Sequence, residues 1–168
     1  MVPIVSIVGR TNSGKTTLIE KLISSLNRRG YRVATIKHHH HSDFEADQKG
    51  KDSWRHAQAG AVATALAARS RLAVFQKTKS EPTVEQVIQL FFDPVDIVLT
   101  EGYKEKLFPK IEVIRRDQGV EPLCRKEDHL IALVTDDDWD LGVPRFGVDE
   151  IDDLMELLEK LFLKRPVS

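Results

Sequence analysis

The sequence predicts an α/β domain with a mostly parallel sheet, helices on both faces and a β-hairpin extension. Three observations carry this. Short, apolar, β-branched runs alternate with stretches of helical spacing, the pattern of α/β domains. The first three elements read strand, helix, strand, a βαβ unit that demands parallel pairing and a right-handed crossover. The residues with chemical potential follow the strands directly, where ligands bind in such sheets.

The elements come in order. Residues 2–8 are apolar and β-branched, a buried strand. Across 15–29, Leu18, Ile19, Leu22, Ile23 and Leu26 fall on one helical face, and Gly30 after Arg28 and Arg29 marks the stop. A second strand spans 31–37, and the polar stretch 38–50 is a loop. A short helix over 52–59, capped by Asp52 or Ser53, stops at Gly60. Residues 61–68 and 71–78 form two strands joined at Arg69-Ser70, a hairpin. Pro82 and Thr83 open a helix through Phe91. Strands follow at 96–100, 110–115, where alternation is the cue, 130–135 and 145–148. The last helix, 149–162, carries acids in its first turn, as the helix dipole favours.

Bulk properties bound the function. The 168 residues suit one domain, 1–168, with one core. Hydrophobic residues make up 41% and charged residues 30%, an ordinary globular balance. With 25 basic and 26 acidic side chains the net charge is −1, which gives no support to nucleic-acid binding. A single cysteine, Cys124, rules out an intrachain disulfide and suits a reducing compartment. No apolar run reaches the roughly 18 residues a membrane helix needs. The start lacks the basic region of a signal peptide. The expectation is a cytoplasmic protein with no membrane partner.

Gly9-Arg10-Thr11-Asn12-Ser13-Gly14-Lys15-Thr16 fits G-x-x-x-x-G-K-[ST] without departure, between a predicted strand and a predicted helix. This is the phosphate-binding loop of the P-loop NTPase fold. The glycines let the backbone curl with its N–H groups toward phosphate oxygens, and the next helix adds its N-terminal donors. Lys15 reaches the β- and γ-phosphates, and Thr16 offers its hydroxyl to Mg²⁺. Thr17 contacts a phosphate or caps the turn.

Asp96-Ile97-Val98-Leu99-Thr100-Glu101-Gly102 is an apolar strand ending in a carboxylate. P-loop proteins place an acid there to hold magnesium or its water, so Glu101 takes that role, while Gly102 keeps the backbone close to the ligand. Asp96, at the far end, is a boundary residue. The loop after the second strand carries His38, His39, His40 and His41 with Asp43, Asp47 and Asp52. Such loops often respond to the γ-phosphate. Lys37 and His38 stand nearest the nucleotide, and Asp47 is the candidate for magnesium or its waters. Solvated loop histidines are the ordinary alternative.

These residues together carry a resemblance. Gly9 to Leu18, Ile36 to His41, Gly50 to Ser53, Thr100 to Lys104, Pro109 to Val113 and Ala132 to Asp137 resemble the family of molybdopterin-guanine dinucleotide biosynthesis protein B across nearly the whole chain. The resemblance implies a GTP-binding accessory protein with weak Mg²⁺-dependent GTPase activity. It implies partnership with the molybdenum-cofactor guanylyltransferase, and an intertwined homodimer. The usual guanine reader, Asn-Lys-x-Asp, is absent; Asp136 in Thr135-Asp136-Asp137-Asp138 occupies the comparable place. Its carboxylate can accept from guanine N1–H and N2–H₂, or it is an acidic turn. Tyr103, Lys104, Lys106 and Lys110 offer a place for the phosphate of molybdopterin or its dinucleotide, or for the partner enzyme, or form a solvated basic loop.

Two other functions share these motifs. A small-molecule kinase would use the same loop with an arginine lid, yet Arg69, Arg71, Arg115, Arg116 and Arg125 are scattered. A metal-delivery GTPase would carry a transition metal on His38 to His41, since imidazole suits zinc, nickel and copper.

Overall fold

The computed structural model describes residues 2–39, 47–92, 94–115 and 121–163. Along the chain run β1 (Ile4–Val8), α1 (Lys15–Arg28), β2 (Val33–Lys37), α2 (Asp52–Gln58), β3 (Ala63–Ala68), β4 (Arg71–Gln76), α3 (Val84–Phe91), β5 (Ile97–Glu101), β6 (Lys110–Val113), β7 (Leu130–Val134), β8 (Arg145–Phe146) and α4 (Ile151–Phe162). They fall into two compact units, residues 1–38 with 92–168, and residues 39–91.

The first unit is a six-stranded sheet in the order β2-β5-β1-β6-β7-β8, parallel at every pairing. The order reverses at β1. The chain leaves β1 toward β2 on one side, then fills β6, β7 and β8 on the other, so the crevice beyond the carboxyl end of β1 is a topological switch point. β1 is flanked by β5 and β6, which explains why all five of its residues are buried.

One face of this sheet makes the main core. Val5, Ile7, Leu99, Ile111, Val113 and Val134 meet Leu18, Leu22 and Leu26 of α1 and Leu154, Met155 and Leu158 of α4. Each fully buried side chain of this size contributes about 1.5–3 kcal/mol. Gly30 ends α1 as expected: at φ 85° it lets Tyr31 N–H return to the Leu26 carbonyl at 3.0 Å. Just before it Arg29 forks to Glu159 at 2.9 Å and Asp152 at 3.1 Å, tying α1 to α4. Asp96, read from sequence as a boundary residue, instead accepts from the backbone and guanidinium of Arg32, which holds its carboxyl below the ordinary value.

The opposite face is more polar, and here β6 departs from expectation. Lys110 was expected to offer positive charge beside the site, but all four residues of β6 are buried, with Lys110 2% and Glu112 1% exposed. A buried charge is tolerable only when its hydrogen bonds are met. The Lys110 ammonium donates to the carbonyls of Lys106 (2.5 Å), Asp128 (2.7 Å) and Phe108 (3.3 Å). It is therefore consumed in holding the β5–β6 loop and is not part of a basic surface. The Glu112 carboxylate accepts from Leu123 N–H at 2.7 Å and Cys124 N–H at 2.9 Å. Burial raises the Glu112 pKa, and the two amides oppose that rise. Cys124, packed with Val8 and Leu130, is pushed up to about 11, chiefly by burial, and stays an inert thiol.

In the second unit β3 and β4 form the expected antiparallel hairpin, closed between Ala68 and Arg71 by Arg69-Ser70. Helix α3 begins with a capping box, Thr83 Oγ1 accepting from Gln86 N–H and Gln86 Oε1 accepting from Thr83 N–H. Helix α2 is capped differently from expectation: Lys51 is its N-cap, and neither Asp52 nor Ser53 caps it with a side chain. The Ser53 hydroxyl donates instead to Asp47. Helices α2 and α3 both belong to this unit. Among the described residues no helix is long and apolar enough to cross a membrane.

Glu112→Ala removes the acceptor of two backbone amides and leaves a cavity, each unmet donor costing about 1–3 kcal/mol. The expected outcome is a loss of about 2–5 kcal/mol of stability in urea unfolding; a variant as stable as the parent would contradict this reading of β6.

Candidate functional site

The loop after β1 has the form the sequence predicts. Gly9 sits at φ 143°, and a Cβ there would lie 2.5 Å from the Val113 carbonyl and 2.6 Å from Ser13 Oγ. The loop can therefore start only at glycine. Asn12 (φ 61°) and Gly14 (φ 97°) take left-handed backbone, turning the chain back into α1 with Gly14 as N-cap. Ser13 is buried beneath the loop. The Lys15 ammonium donates to the carbonyls of Arg10 at 2.7 Å and Gly9 at 3.1 Å. Burial holds its pKa below the ordinary lysine value; the Glu101 carboxylate opposes this and Lys37 adds to it.

β5 lies beside β1, with Glu101 opposite Ile7 and Lys37 of β2 opposite Glu101. That register delivers the carboxylate to the loop. Glu101 Oε2 accepts from the Thr16 hydroxyl at 3.3 Å, and Oε1 pairs with Lys37 Nζ at 3.2 Å. A hydroxyl and a carboxylate at hydrogen-bond distance are hard oxygen donors, the set that fits Mg²⁺ with phosphate oxygens and water. Thr11, Asn12, Lys15, Thr16, Lys37 and Glu101 line a cavity of about 500 Å³.

Just past Glu101, Gly102 takes φ 96° and Tyr103 φ 56°. A Cβ on Gly102 would lie 3.3 Å from His38 Cβ, and the His38 ring packs 4.7 Å from that of Tyr103. The His38 amide donates to the Glu101 carbonyl at 3.0 Å, so the ends of β2 and β5 are stitched together. Tyr103 is buried in this contact and is not a surface aromatic. Of the expected basic group only Lys104 and Lys106 are exposed.

A second cavity of about 370 Å³ adjoins the loop on the α1 side, walled by Leu18 and Lys21 of α1, Val113, Val134, Val148 and Asp136. Its rim includes Gly14 and Thr17, which also border the first cavity. Lys21 donates to the Val148 carbonyl at 3.0 Å and Asp149 at 2.7 Å, joining α1 to the chain after β8. Among the three aspartates after β7, Asp138 pairs with Arg145 at 2.8 Å, while Asp136 has no partner among the described residues. Asp136 is thus the carboxylate of this turn that a ligand in the cavity can use.

Asp47 belongs to the second unit, where its Oδ1 accepts from Gln48 N–H at 2.7 Å and Ser53 Oγ at 3.0 Å. His40, His41, Asp43 and Arg116 lie outside the described residues. Among the described residues no three His, Cys, Asp or Glu side chains form a metal-holding group. Of the described arginines weighed as a lid, Arg125 serves the carbonyls of Pro122 and Cys124, and Arg115 borders both cavities. Sequence reading did not place Arg115 at the site. The available signal was its position just beyond β6, the strand beside the P-loop strand.

The sequence matches the profile of molybdopterin guanine dinucleotide synthesis protein B, MobB, over residues 4–136. This chain belongs to the MobB family. The match runs from β1 to Asp136 and so contains every candidate site residue. The MobB relative of Haemophilus influenzae, a molybdopterin-guanine dinucleotide biosynthesis adapter protein, is 34% identical over 159 residues, covering 94% of this chain and 88% of the relative. The Escherichia coli adapter protein is 32% identical over 169 residues, covering 98% and 96%. A crystal structure of molybdopterin-guanine biosynthesis protein B aligns with a TM-score of 0.75 at 30% identity, over 95% of this chain and 98% of that one. That of Bacillus subtilis MobB aligns at 0.71 and 29%, over 96% and 98%. The role of the chain lies in molybdopterin guanine dinucleotide biosynthesis, as an adapter protein.

Proposed function

We propose that this MobB protein binds Mg·GTP, hydrolyses it slowly and attends the guanylyltransferase of the pathway as a homodimer. The observation that carries the reading is the loop at Gly9–Thr16, curled against β6, with Lys15 at its centre and Thr16 beside Glu101. Inward amides and one ammonium group suit the β- and γ-phosphates, and Thr16 and Glu101 would hold the magnesium. Bound there, Mg²⁺ would neutralise the charge that develops on the phosphate oxygens. Hydrolysis breaks the bond between the γ-phosphorus and the β–γ bridging oxygen as water attacks, releasing GDP and phosphate.

Slow turnover follows from how Glu101 is engaged. Both its oxygens have partners, Lys37 and Thr16, which favours a carboxylate that holds a cation over one that takes a proton from water. A GTPase that turns over slowly can time an association. The adjoining cavity suits the base, with Asp136 accepting from the N1–H and N2–H₂ donors that guanine has and adenine lacks.

The hairpin supports the homodimer. Leu66, Leu72 and Val74 are 51%, 68% and 37% exposed, and an isolated two-stranded ribbon is marginal in water without something to pack on. A second copy supplies that surface at no cost in new sequence.

Calorimetry with GTP and ATP, each with and without magnesium, tests the nucleotide reading. Mg·GTP should bind more tightly than Mg·ATP. Lys15→Ala should lose the triphosphate. Asp136→Asn should erase the preference for guanine, a change of about tenfold to a hundredfold for a hydrogen bond to a charged group. Preference for ATP, or full binding by Lys15→Ala, would overturn it. Sedimentation should give a dimer that Leu72→Asp converts to monomer; a monomeric parent would refute the dimer.

A further inference from the structure

Arg115 follows β6 at the carboxyl edge of the sheet and is exposed. Its guanidinium lies against Gly14, the N-cap of α1: a Cβ built there would be 3.5 Å from Arg115 Nε and 3.6 Å from Nη2. It makes no hydrogen bond or ion pair with any described residue. A cation in this place is electrostatically unfavourable. The N-terminal end of a helix is itself positive, the first turn of α1 holds no acid, and Lys15 and Lys37 border the same cavity. Glu101, the one carboxylate lining that cavity, is engaged by Thr16 and Lys37, and Asp136 lines the other cavity that Arg115 borders. Such a convergence asks for an anion.

The position of Arg115 says which anion. It borders both cavities, together with Gly14 and Thr17. A nucleotide with its base in the cavity of Asp136 and its terminal phosphates in that of Lys15 has its ribose and α-phosphate at the boundary. We infer that Arg115 is the α-phosphate-binding residue of this site, holding the phosphate nearest the ribose by a charge-assisted hydrogen bond. A planar, always-charged donor suits a phosphate oxygen at such a boundary. This rests on the nucleotide reading above and adds a division of labour: Lys15 serves the β- and γ-phosphates, Arg115 the α-phosphate.

Calorimetric titration with GMP, GDP and GTP, which needs no nucleotide probe, separates these roles in the full-length protein. Arg115→Ala should weaken all three by one common factor, about tenfold to a hundredfold for a hydrogen bond to a charged group, because all three carry the α-phosphate. Lys15→Ala should weaken GDP and GTP far more than GMP. Arg115→Lys, which keeps the charge and loses the fork, should recover part of the affinity for all three. Unchanged affinities in Arg115→Ala would overturn the inference, as would a loss confined to GTP, which would place the guanidinium at the γ-phosphate. A parent protein that binds no nucleotide defeats the nucleotide reading itself, an outcome distinct from either.

Discussion

The close approach of Gly9 to β6 sets the geometry on which the rest depends. The Val113 carbonyl and the Ser13 hydroxyl occupy the space that any side chain at position 9 would need. With no Cβ there, the backbone leaves β1, turns through left-handed Asn12 and Gly14, and enters α1 with its first amides free for a ligand. The same path brings the Lys15 ammonium back over the carbonyls of Gly9 and Arg10, which hold it above its own loop. The main core underlies this arrangement, since Leu18, Leu22 and Leu26 fix α1 against the sheet from which the loop springs.

Sheet order supplies the second requirement. β5 sits beside β1 in a register that sets Glu101 opposite Ile7, and β2 beyond it sets Lys37 opposite Glu101. Three residues distant in sequence, Thr16, Lys37 and Glu101, thus meet within hydrogen-bond reach. Gly102 and then Tyr103, which holds left-handed backbone at φ 56°, follow at once, with the Tyr103 ring packed on His38. Strain of this kind persists where surrounding structure over-determines it, and it clusters at functional sites. On the other side of β1, β6 and β7 lead to Arg115 and Asp136, which line the cavity adjoining that of Lys15 and Glu101.

Much of this was legible in the sequence because local patterns and the fold agree. The phosphate loop has a fixed spelling, and the apolar face of α1 and the strand ending in Glu101 are unambiguous in period. The hairpin was legible from two β-rich runs separated by Arg69-Ser70. What escaped notice depends on neighbours. Lys110 and Glu112 look like the polar half of an alternating strand; only the central position of β6 shows that they are buried, satisfied by carbonyls of the preceding loop and of Asp128 and by the amides of Leu123 and Cys124. Arg115 has no motif, since its meaning comes from lying across Gly14. The start of α2 misled because Asp52 and Ser53 are both good caps by type, whereas Asp47 engages the Ser53 hydroxyl.

The central claim is that the amides of the loop between β1 and α1 receive the phosphates of a guanine nucleotide. Amide NMR of the ¹⁵N-labelled protein tests it most directly. Adding Mg·GDP should move the resonances of residues 12–16 strongly and leave those of the hairpin strands β3 and β4 in place. Resonances in the loop that stay fixed while others move would contradict the account.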